Sequence, residues 1–387
     1  MNCLSMKTDW KETTLGKEVV FQRGFDLPAT ERKEGRFPLF TASGQDGFHS
    51  EYKVKGPGIV TGRSGTLGQV FFIEDDFWPL NTTLWVKDFR GNDKKFFYYL
   101  LKTLKLERYN AGSGVPTLNR NHLDHYPLRL PSVDDQHAIA AVLSSLDDKI
   151  ELLHKQNETL ERLAVTLFHE WFIRPTTSAH FPEGWRIYRL GELADVISGY
   201  AYKGTDLVES SSVGMVNLKN FERNGGFRVD GLKPIKGEPK ASQEVKIGDV
   251  VVAHTDLTQD AEVLGNTAII SDAGSYERLY ISMDVAKVEP KLKISRAFLY
   301  FLMRTHSFKQ YCIGYANGTT VLHLPRTAVS VYEVGLPIDL GNETVREFDA
   351  LAASVTQKIT ANIRRVRTLT ATRDTLLPRL MSGEIRV

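Results

Sequence analysis

Two loops of the chain carry polar and basic side chains in nearly the same order. One reads GSGVPTLNR, from Gly112 to Arg120, and the other reads GTTVLHLPR, from Gly318 to Arg326. Both keep Gly, Val, Leu and Arg in register, and both supply groups that can donate hydrogen bonds to phosphates or base edges of a nucleic acid. The same pattern suits a solvated loop whose glycine serves the turn and whose arginine faces water. The two interpretations are about evenly matched.

A glycine-rich turn, GRSGTLG at residues 62–68, is the second stretch that could bind a ligand. Glycine lets the backbone approach a phosphate closely, and Arg63 could reach O6 and N7 of a guanine. The turn lacks the Gly-Lys-Ser/Thr ending of a nucleotide-binding loop and leads into a strand, so it does not predict a nucleotide site. Taken alone, it is better explained as a solvated hairpin. The second half of the chain has HTDLTQD, residues 254–260, in its place, which puts a shared contact role in doubt.

No arrangement of residues in the sequence predicts catalysis. The chain has neither an Asn/Asp-Pro-Pro-aromatic motif for amino-methylation nor a strand–GxGxxG–helix cofactor loop. The ten histidines are scattered, and Cys3 and Cys312 form no CxxC or Cys/His cluster. The sequence therefore predicts neither a metal site nor a disulfide framework.

Composition and charge favour a protein of the reducing cytosol with two or three domains. The 387 residues suffice for several cores, and 42% hydrophobic with 25% charged residues is ordinary for a soluble protein. The N-terminus lacks a signal-peptide pattern, and no apolar run is long enough to span a membrane. Since the net charge is only +2, any binding of DNA phosphates must rely on local clusters of basic residues.

The elements that position the two loops are also repeated. The matching segments include WKETTLG with WRIYRLG (residues 10–16 with 185–191), 24–25 with 199–200, and the Leu-Pro pairs 130–131 with 336–337. One repeat of so long a period predicts two similar domains, not a solenoid. Each half begins with short β-rich segments and continues with a helix, so both domains should be α+β. The predicted strands are 58–61, 69–73, 84–86, 250–253 and 267–270, and the predicted helices are 94–106 and 295–311.

Each Leu-Pro pair leads into a long stretch with heptad spacing. Seam positions recur at gaps of four and three in both stretches, as in a coiled coil, and a helix of such length needs a partner. The first stretch is acidic and the second is basic, which favours pairing the two, and an antiparallel arrangement would give the halves a pseudo-two-fold relation. The seam includes Ile139, Leu143, Leu146, Ile150, Leu153, Asn157, Leu160, Leu167, Phe348, Val355, Ile359, Asn362, Val366 and Leu369.

Caps, prolines and polar seam residues define these helices further. The spacing of Ser132 and Asp135 predicts a capping box at the start of the first helix. Arg174-Pro175 should end the first helix, and Pro378 should end the second, which is predicted over about 342–377. Asn157 and Asn362 on the seam would fix the register of the pair at some cost in stability.

Residues 130–172 resemble the central region of the specificity subunits of type I restriction-modification enzymes. The matching landmarks are Leu130-Pro131, Asp135-Gln136, Ile139-Ala140, Leu143 to Ile150, Asn157 to Leu160, and Phe168 to Phe172. Asp135 stands where the family commonly has Glu, which is a conservative difference. The duplication extends the resemblance over nearly the whole chain.

The resemblance implies that each globule is a target-recognition domain for one half of a split, asymmetric sequence of double-stranded DNA. The helical rod would set the spacing and dock two methyltransferase subunits, which nuclease/translocase subunits join. The chain itself would catalyse nothing, and S-adenosylmethionine, ATP and Mg would bind to the partner subunits. The residues then expected to contact DNA are Lys53, Lys55, Arg63, Ser64, Thr66, Lys94, Ser113, Asn119, Arg120, His254, Thr255, Thr319, Thr320, His323 and Arg326.

The predicted architecture is α+β, with recognition domains at residues 1–130 and 176–336 and long helices within 131–175 and 337–387. Two other classes of function compete with DNA recognition by a subunit. One is a self-contained DNA methyltransferase or nuclease, which the missing motifs disfavour. The other is a coiled-coil scaffold that binds only protein.

Overall fold

The computed structural model describes residues 10–110, 114–177, 181–223 and 225–387. The chain divides into two compact units. Unit 1 comprises Met1–Glu151 with Thr368–Val387, and unit 2 comprises Leu152–Arg367. Within the described ranges, no helix is long and apolar enough to cross a membrane.

Unit 1 contains short strands and helices followed by the start of a long helix. Its strands are β1 (Lys11–Thr14), β2 (Val20–Arg23), β3 (Phe37–Thr41), β4 (Gly44–His49), β5 (Gly58–Gly62), β6 (Val70–Ile73), β7 (Trp78–Pro79), β8 (Thr83–Asp88) and β9 (Pro127–Leu130). Its helices are α1 (Leu15–Glu18), α2 (Lys94–Thr103) and α3 (Arg120–Asp124). It also contains the first part of α4, a helix that spans Val133–Phe168 as a whole.

The main sheet of unit 1 has the order β2-β8-β5-β6, and a second sheet has the order β4-β3-β7. Every residue of β5 is buried, as its apolar run leads one to expect of a central strand. Helix α2 packs on this sheet and begins at Asp93, whose carboxylate accepts a hydrogen bond from the Phe96 amide at 2.6 Å. Leu143 of α4 and Leu380 near the C-terminus complete the same core. The core of unit 1 therefore draws on both ends of the chain.

Unit 2 repeats this construction. Its strands are β10 (Trp185–Arg189), β11 (Ala194–Ser198), β12 (Val213–Val216), β13 (Lys233–Pro234), β14 (Glu244–Val245), β15 (Val250–Ala253), β16 (Thr255–Asp256), β17 (Thr267–Ile269), β18 (Arg278–Ile281), β19 (Val285–Pro290), β20 (Leu322–His323) and β21 (Glu333–Pro337). Its helices are α5 (Leu190–Leu193), α6 (Arg296–Met303), α7 (His306–Gly314), α8 (Ala328–Val331) and most of α9 (Glu343–Met381).

The two units share most of their sheet topology. The order β11-β19-β15-β17 in unit 2 reproduces β2-β8-β5-β6. The order β13-β12-β18 reproduces β4-β3-β7, and unit 2 adds β14 beside β18. Gly24 and Gly199, matched in the sequence, also have the same role. An added Cβ would lie 2.1 Å from the Leu80 carbonyl oxygen at Gly24 and 2.0 Å from the Ser282 carbonyl oxygen at Gly199. Both positions need glycine because two backbone segments touch there, so the repeat is one of structure as well as sequence.

The predicted helix over residues 295–311 is two helices, α6 and α7. The prediction was wrong at Thr305, whose hydroxyl accepts a hydrogen bond from the Phe308 amide at 3.3 Å and caps the start of α7. A threonine that satisfies a free amide in this way favours a new helix over continuation of the old one.

The long helices begin as predicted, but one ends differently. Ser132 caps α4 by accepting a hydrogen bond from the Asp135 amide at 3.2 Å. After Phe168 the chain continues as a π-helical turn, His169–Ile173, and a 3₁₀ turn, Arg174–Thr177. Helix α9 passes through Pro378, contrary to the prediction, and Gly383 with a positive φ of 73° follows its end at Met381. A proline so near the C-terminus removes only one intrahelical hydrogen bond, and glycine in the left-handed region then closes the helix.

Each predicted seam residue of the two long helices is buried or half-buried. In unit 2, the second part of α4 packs along the first part of α9, with the rings of Phe168 and Phe348 5.2 Å apart. In the same unit, the Asn362 amide donates to the Asn157 side-chain oxygen at 2.7 Å. In unit 1, Arg373 of α9 pairs with Asp147 of α4 at 2.7 Å. Residue numbers rise along one helix as they fall along the other, so the pairing is antiparallel within each unit.

Candidate nucleic-acid interface

In unit 1, the glycine-rich turn and the first duplicated loop lie side by side. The Arg63 amide donates to the Thr82 carbonyl at 2.8 Å, and the Leu118 amide donates to the Arg63 carbonyl at 2.8 Å. The Gly65 amide donates to the Pro116 carbonyl at 2.9 Å. Three segments far apart in sequence thus form one continuous patch. We call it the turn surface of unit 1, which consists of residues 62–68, 81–82 and 114–120.

Unit 2 assembles the same patch from different residues. The His254 amide donates to the Asp284 carbonyl at 2.8 Å, and the Leu324 amide donates to the His254 carbonyl at 2.8 Å. Strand β16 then pairs with β20, with Thr255 opposite His323. His254 therefore occupies the place of Arg63, and Leu324 that of Leu118. The turn surface of unit 2 consists of residues 254–266, 282–284 and 318–326.

Most predicted contact residues on these surfaces are open to solvent. Thr66, Asn119 and Arg120 are exposed in unit 1, whereas Arg63 and Ser64 are half-buried. Asn119 also caps α3, because its side-chain oxygen accepts a hydrogen bond from the Asn121 amide at 3.0 Å. In unit 2 the exposed residues are Thr319, Thr320, His323 and Arg326. Ser113 lies outside the described residues.

The Arg63 side chain is held at the turn surface by its Nε, which donates to the Asn81 carbonyl at 3.2 Å. The Asn81 amide group in turn hydrogen-bonds to the Asp26 carboxylate. Asn81 and Thr82 also belong to this surface, although no pattern in the sequence indicates it. They lie in a short turn between strands, and only the pairing of β7 and β8 with distant strands shows that this turn borders residues 62–68.

Lys53, Lys55 and Lys94, which the resemblance implied as DNA contacts, do not lie at the turn surface of unit 1. Strand β5 runs from Gly58 to the turn, so Lys53 and Lys55 precede its opposite end. The Lys94 ammonium donates to the Pro57 carbonyl at 2.8 Å, which places Lys94 at that end too. Sequence proximity was misleading here because an extended strand separates its ends by about 3.3 Å per residue.

His254 and Thr255 are buried, so the structure does not present their side chains to DNA. They are 6% and 5% exposed because the segment continues from β15 into β16 and pairs with β20. Burial lowers the pKa of His254 from 6.5 to about 4, so its imidazole is neutral at pH 7. The exposed residues of this segment follow instead, from Leu257 to Asp260.

The turn surfaces offer hydroxyl, amide, imidazole and guanidinium groups on loops held by sheets. Such groups can bind phosphates and read base edges, and fixed loops are where proteins commonly place binding residues. Among the described residues, no group of three or more His, Cys, Asp or Glu is placed to hold a metal ion.

Comparison with known proteins connects this fold to DNA specificity. Residues 7–162 match the model of the type I restriction modification DNA specificity domain. The type I restriction enzyme MjaIX specificity subunit of Methanocaldococcus jannaschii is 26% identical over 447 residues, covering 98% of this chain and 97% of that protein. The MjaVIII specificity subunit of the same organism is 24% identical and covers 100% of this chain and 95% of its own length. The type I restriction enzyme HindI specificity subunit of Haemophilus influenzae is 22% identical, with coverages of 82% and 84%.

A solved structure shows the same fold. The S subunit of a type I restriction-modification system from M. genitalium matches with a TM-score of 0.65 at 18% identity, over 97% of each chain. Residues 7–162 thus resemble the type I DNA specificity domain family. Along its whole length, the chain resembles the specificity subunits of type I restriction enzymes.

Proposed function

We propose that this chain is the DNA sequence-specificity subunit of a type I restriction-modification complex. Unit 1 reads one half of a bipartite, asymmetric DNA target, and unit 2 reads the other half. The observation that carries the proposal is the turn surface itself. It is built twice, at the same place in the same fold, with different side chains on a common backbone frame. Arg63 and the glycines of unit 1 are replaced in unit 2 by His254 and a longer loop. A shared frame with different side chains is what two readers of different sequences require.

The two long helices are the spacer in this proposal. Helices α4 and α9 each contribute to both units, so a change in their length alters the connection between the two readers. Methyltransferase subunits, two in number, dock on these helices and the globules, and restriction/translocase subunits join them. The chain itself performs no catalysis. S-adenosylmethionine, ATP and Mg bind on the partner subunits, and the complex works in the cytoplasm.

Sequencing of methylated DNA from cells with and without this chain tests the function directly. The expected result is methylation at a two-part motif with a fixed gap, present only when the chain is expressed. Purified chain with its methyltransferase subunits should also prefer a duplex carrying that motif over random competitor. Equal binding to both duplexes, together with unchanged methylation in cells, would rule the function out.

Salt dependence separates DNA binding from a scaffold that binds only protein. Arg120 and Arg326 occupy the same position in the two duplicated loops, and both are exposed. If each neutralises one phosphate, Arg120→Ala and Arg326→Ala should each reduce the slope of log affinity against log salt by about 1. Arg346→Ala, at an exposed position on α9, is the matched control and should leave the slope unchanged. A binding constant independent of salt in the wild-type complex would favour the scaffold.

A further inference from the structure

A buried carboxylate accepts several hydrogen bonds from the loop that joins β16 to β17 in unit 2. We call residues 257–266 the pinned loop. Asp256, which precedes it, is 3% exposed. Its carboxylate accepts hydrogen bonds from the Val263 amide at 2.5 Å and the Leu264 amide at 3.1 Å. It also accepts from the amide and the hydroxyl of Thr258, both at 2.9 Å. Burial alone would raise the pKa of Asp256, but these hydrogen bonds hold it below its ordinary value, so the group is a carboxylate at neutral pH.

A lysine holds the carbonyl groups of the same loop. Lys309 extends from α7, and its ammonium donates to the carbonyl oxygens of Ala261 at 2.9 Å, Glu262 at 3.2 Å and Leu264 at 2.7 Å. It also donates to the Asn266 side-chain oxygen at 2.8 Å. The loop is thus held by an anion that takes its amide hydrogens and a cation that takes its carbonyl oxygens. Charge-assisted hydrogen bonds of this kind are about twice as strong as neutral ones, so the loop is fixed in one conformation.

The fixed loop presents an exposed tip. Leu257 is 69% exposed, and Thr258, Gln259 and Asp260 are exposed as well. The Thr258 hydroxyl is engaged by Asp256, so the side chains left to meet a ligand are those of Leu257, Gln259 and Asp260. A glutamine can bind N6 and N7 of adenine, a carboxylate can accept from N4 of cytosine, and an apolar side chain can contact the methyl group of thymine. The tip therefore carries the chemistry of base edges and not that of phosphates.

The position of the pinned loop matters as much as its composition. It follows His254, which occupies the place of Arg63, so it replaces the glycine-rich turn of unit 1 on the turn surface. An exposed leucine at the end of a rigid loop contributes nothing to the core of unit 2. A loop that is already rigid before binding loses less conformational entropy when the complex forms.

We propose that the pinned loop is the base-reading element of unit 2, with Leu257, Gln259 and Asp260 as specificity-determining residues and Lys309 as a positioning residue. The proposal rests on the proposed function and deepens it. The half-site that unit 2 reads is selected through the major groove by the loop tip, whereas Lys309 acts only through the loop and touches no DNA.

The test uses the full chain in complex with its methyltransferase subunits, acting on a library of duplexes with randomised half-sites. Methylated duplexes are sequenced for the wild type, for Gln259→Ala and for Leu257→Ala. Each variant should lose roughly 5- to 100-fold of its discrimination at one or two adjacent base pairs of a single half-site. The other half-site, the spacer and the salt slope should be unchanged, because the tip makes no phosphate contact.

Lys309→Gln tests the positioning role. It should weaken discrimination across the whole of that same half-site and speed hydrogen exchange at the amides of Val263 and Leu264, while affinity for random DNA stays within about twofold. Gln310→Ala, at an exposed position one residue further on α7, is the matched control and should change none of these. The tip variants alter exposed side chains, so they test the proposal even if Lys309→Gln fails to fold.

Three results would decide the matter. A wild-type motif that survives unchanged in Gln259→Ala and Leu257→Ala overturns the role of the pinned loop and leaves the proposed function standing. Relaxation of both half-sites to the same extent also overturns it, since the loop belongs to one unit. The absence of any motif for the wild-type complex overturns the proposed function itself.

Discussion

Asn362 and Asn157 form a polar contact in the seam of unit 2 that should cost stability and secure the register of the helices. Asn362 is 3% exposed, and its amide donates to Asn157 at 2.7 Å and to Gln156 at 2.9 Å. Asn362→Leu removes both hydrogen bonds and leaves the oxygen of half-buried Asn157 without a donor. At about 1 kcal/mol for each hydrogen bond, this single change should destabilise unit 2 by about 2 kcal/mol.

The double variant Asn157→Leu with Asn362→Leu should behave in the opposite way. Both polar groups are gone, and two leucines extend a seam that already contains Leu153 and Val355. We expect it to be more stable than the wild type by about 1–2 kcal/mol, because no buried group is left unsatisfied and more apolar surface is buried. In the complex, the spacer preference should broaden while both half-sites stay the same, since the pair that fixes the register is lost.

The assay is urea denaturation of the full chain, with hydrogen exchange on peptides from the second part of α4 to assign the transition to unit 2. Asn121→Leu, at an exposed position on α3, is the control and should shift stability by less than about 0.5 kcal/mol. A double variant less stable than either single variant would refute the reasoning. So would a double variant that is more stable but keeps the spacer preference of the wild type.

Three further outcomes follow from individual sites. Gly24→Ala and Gly199→Ala should each destabilise their own unit by at least about 2 kcal/mol, because the new Cβ meets a backbone oxygen, whereas Gly114→Ala has open space and should be neutral. Urea midpoints for the three variants check this, and equal effects at Gly24 and Gly114 would contradict it. His254 has a folded-state pKa of about 4 against an ordinary 6.5, so the unfolded chain takes up a proton first as pH falls. The free energy of unfolding of the wild type should therefore fall by up to about 3 kcal/mol between pH 6.5 and 4. His254→Gln lacks the titrating imidazole and should not show this contribution. Matching pH profiles for the two proteins would contradict the burial of His254. Phe348→Ala should cost unit 2 about 3–5 kcal/mol, because its ring is fully buried among other aromatic rings, and thermal unfolding would show this.

The long helices were predictable from the sequence because their signal is local. Heptad spacing repeats along the chain, and each predicted seam residue of α4 and α9 is indeed buried or half-buried. The duplicated fold was visible for a similar reason, since Gly24 and Gly199 mark backbone contacts that only glycine permits. The helix boundaries that were predicted wrongly depended on single residues. Pro378 did not end its helix, and Thr305 divided one that looked continuous.

The candidate site was only half predictable. The duplicated loops were found because two copies could be compared within one chain. The burial of His254 and the distance of Lys55 from the turn depend on strand pairing, which no local pattern reveals. Lys309 lies far along the chain from the loop that it fixes, and nothing in the sequence around it indicates the partners of its ammonium group.

The two ends of unit 1 carry a consequence for the order in which the protein can fold during synthesis. Leu380 and Met381 are 2% and 8% exposed within the core that also contains Leu15 and Leu143. Unit 1 therefore begins to leave the ribosome first and becomes complete last, after all of unit 2 has been made. A stop codon in place of Thr368 would spare every residue of unit 2 and open the core of unit 1. A truncation near the C-terminus should thus inactivate unit 1, most of which the first part of the gene encodes.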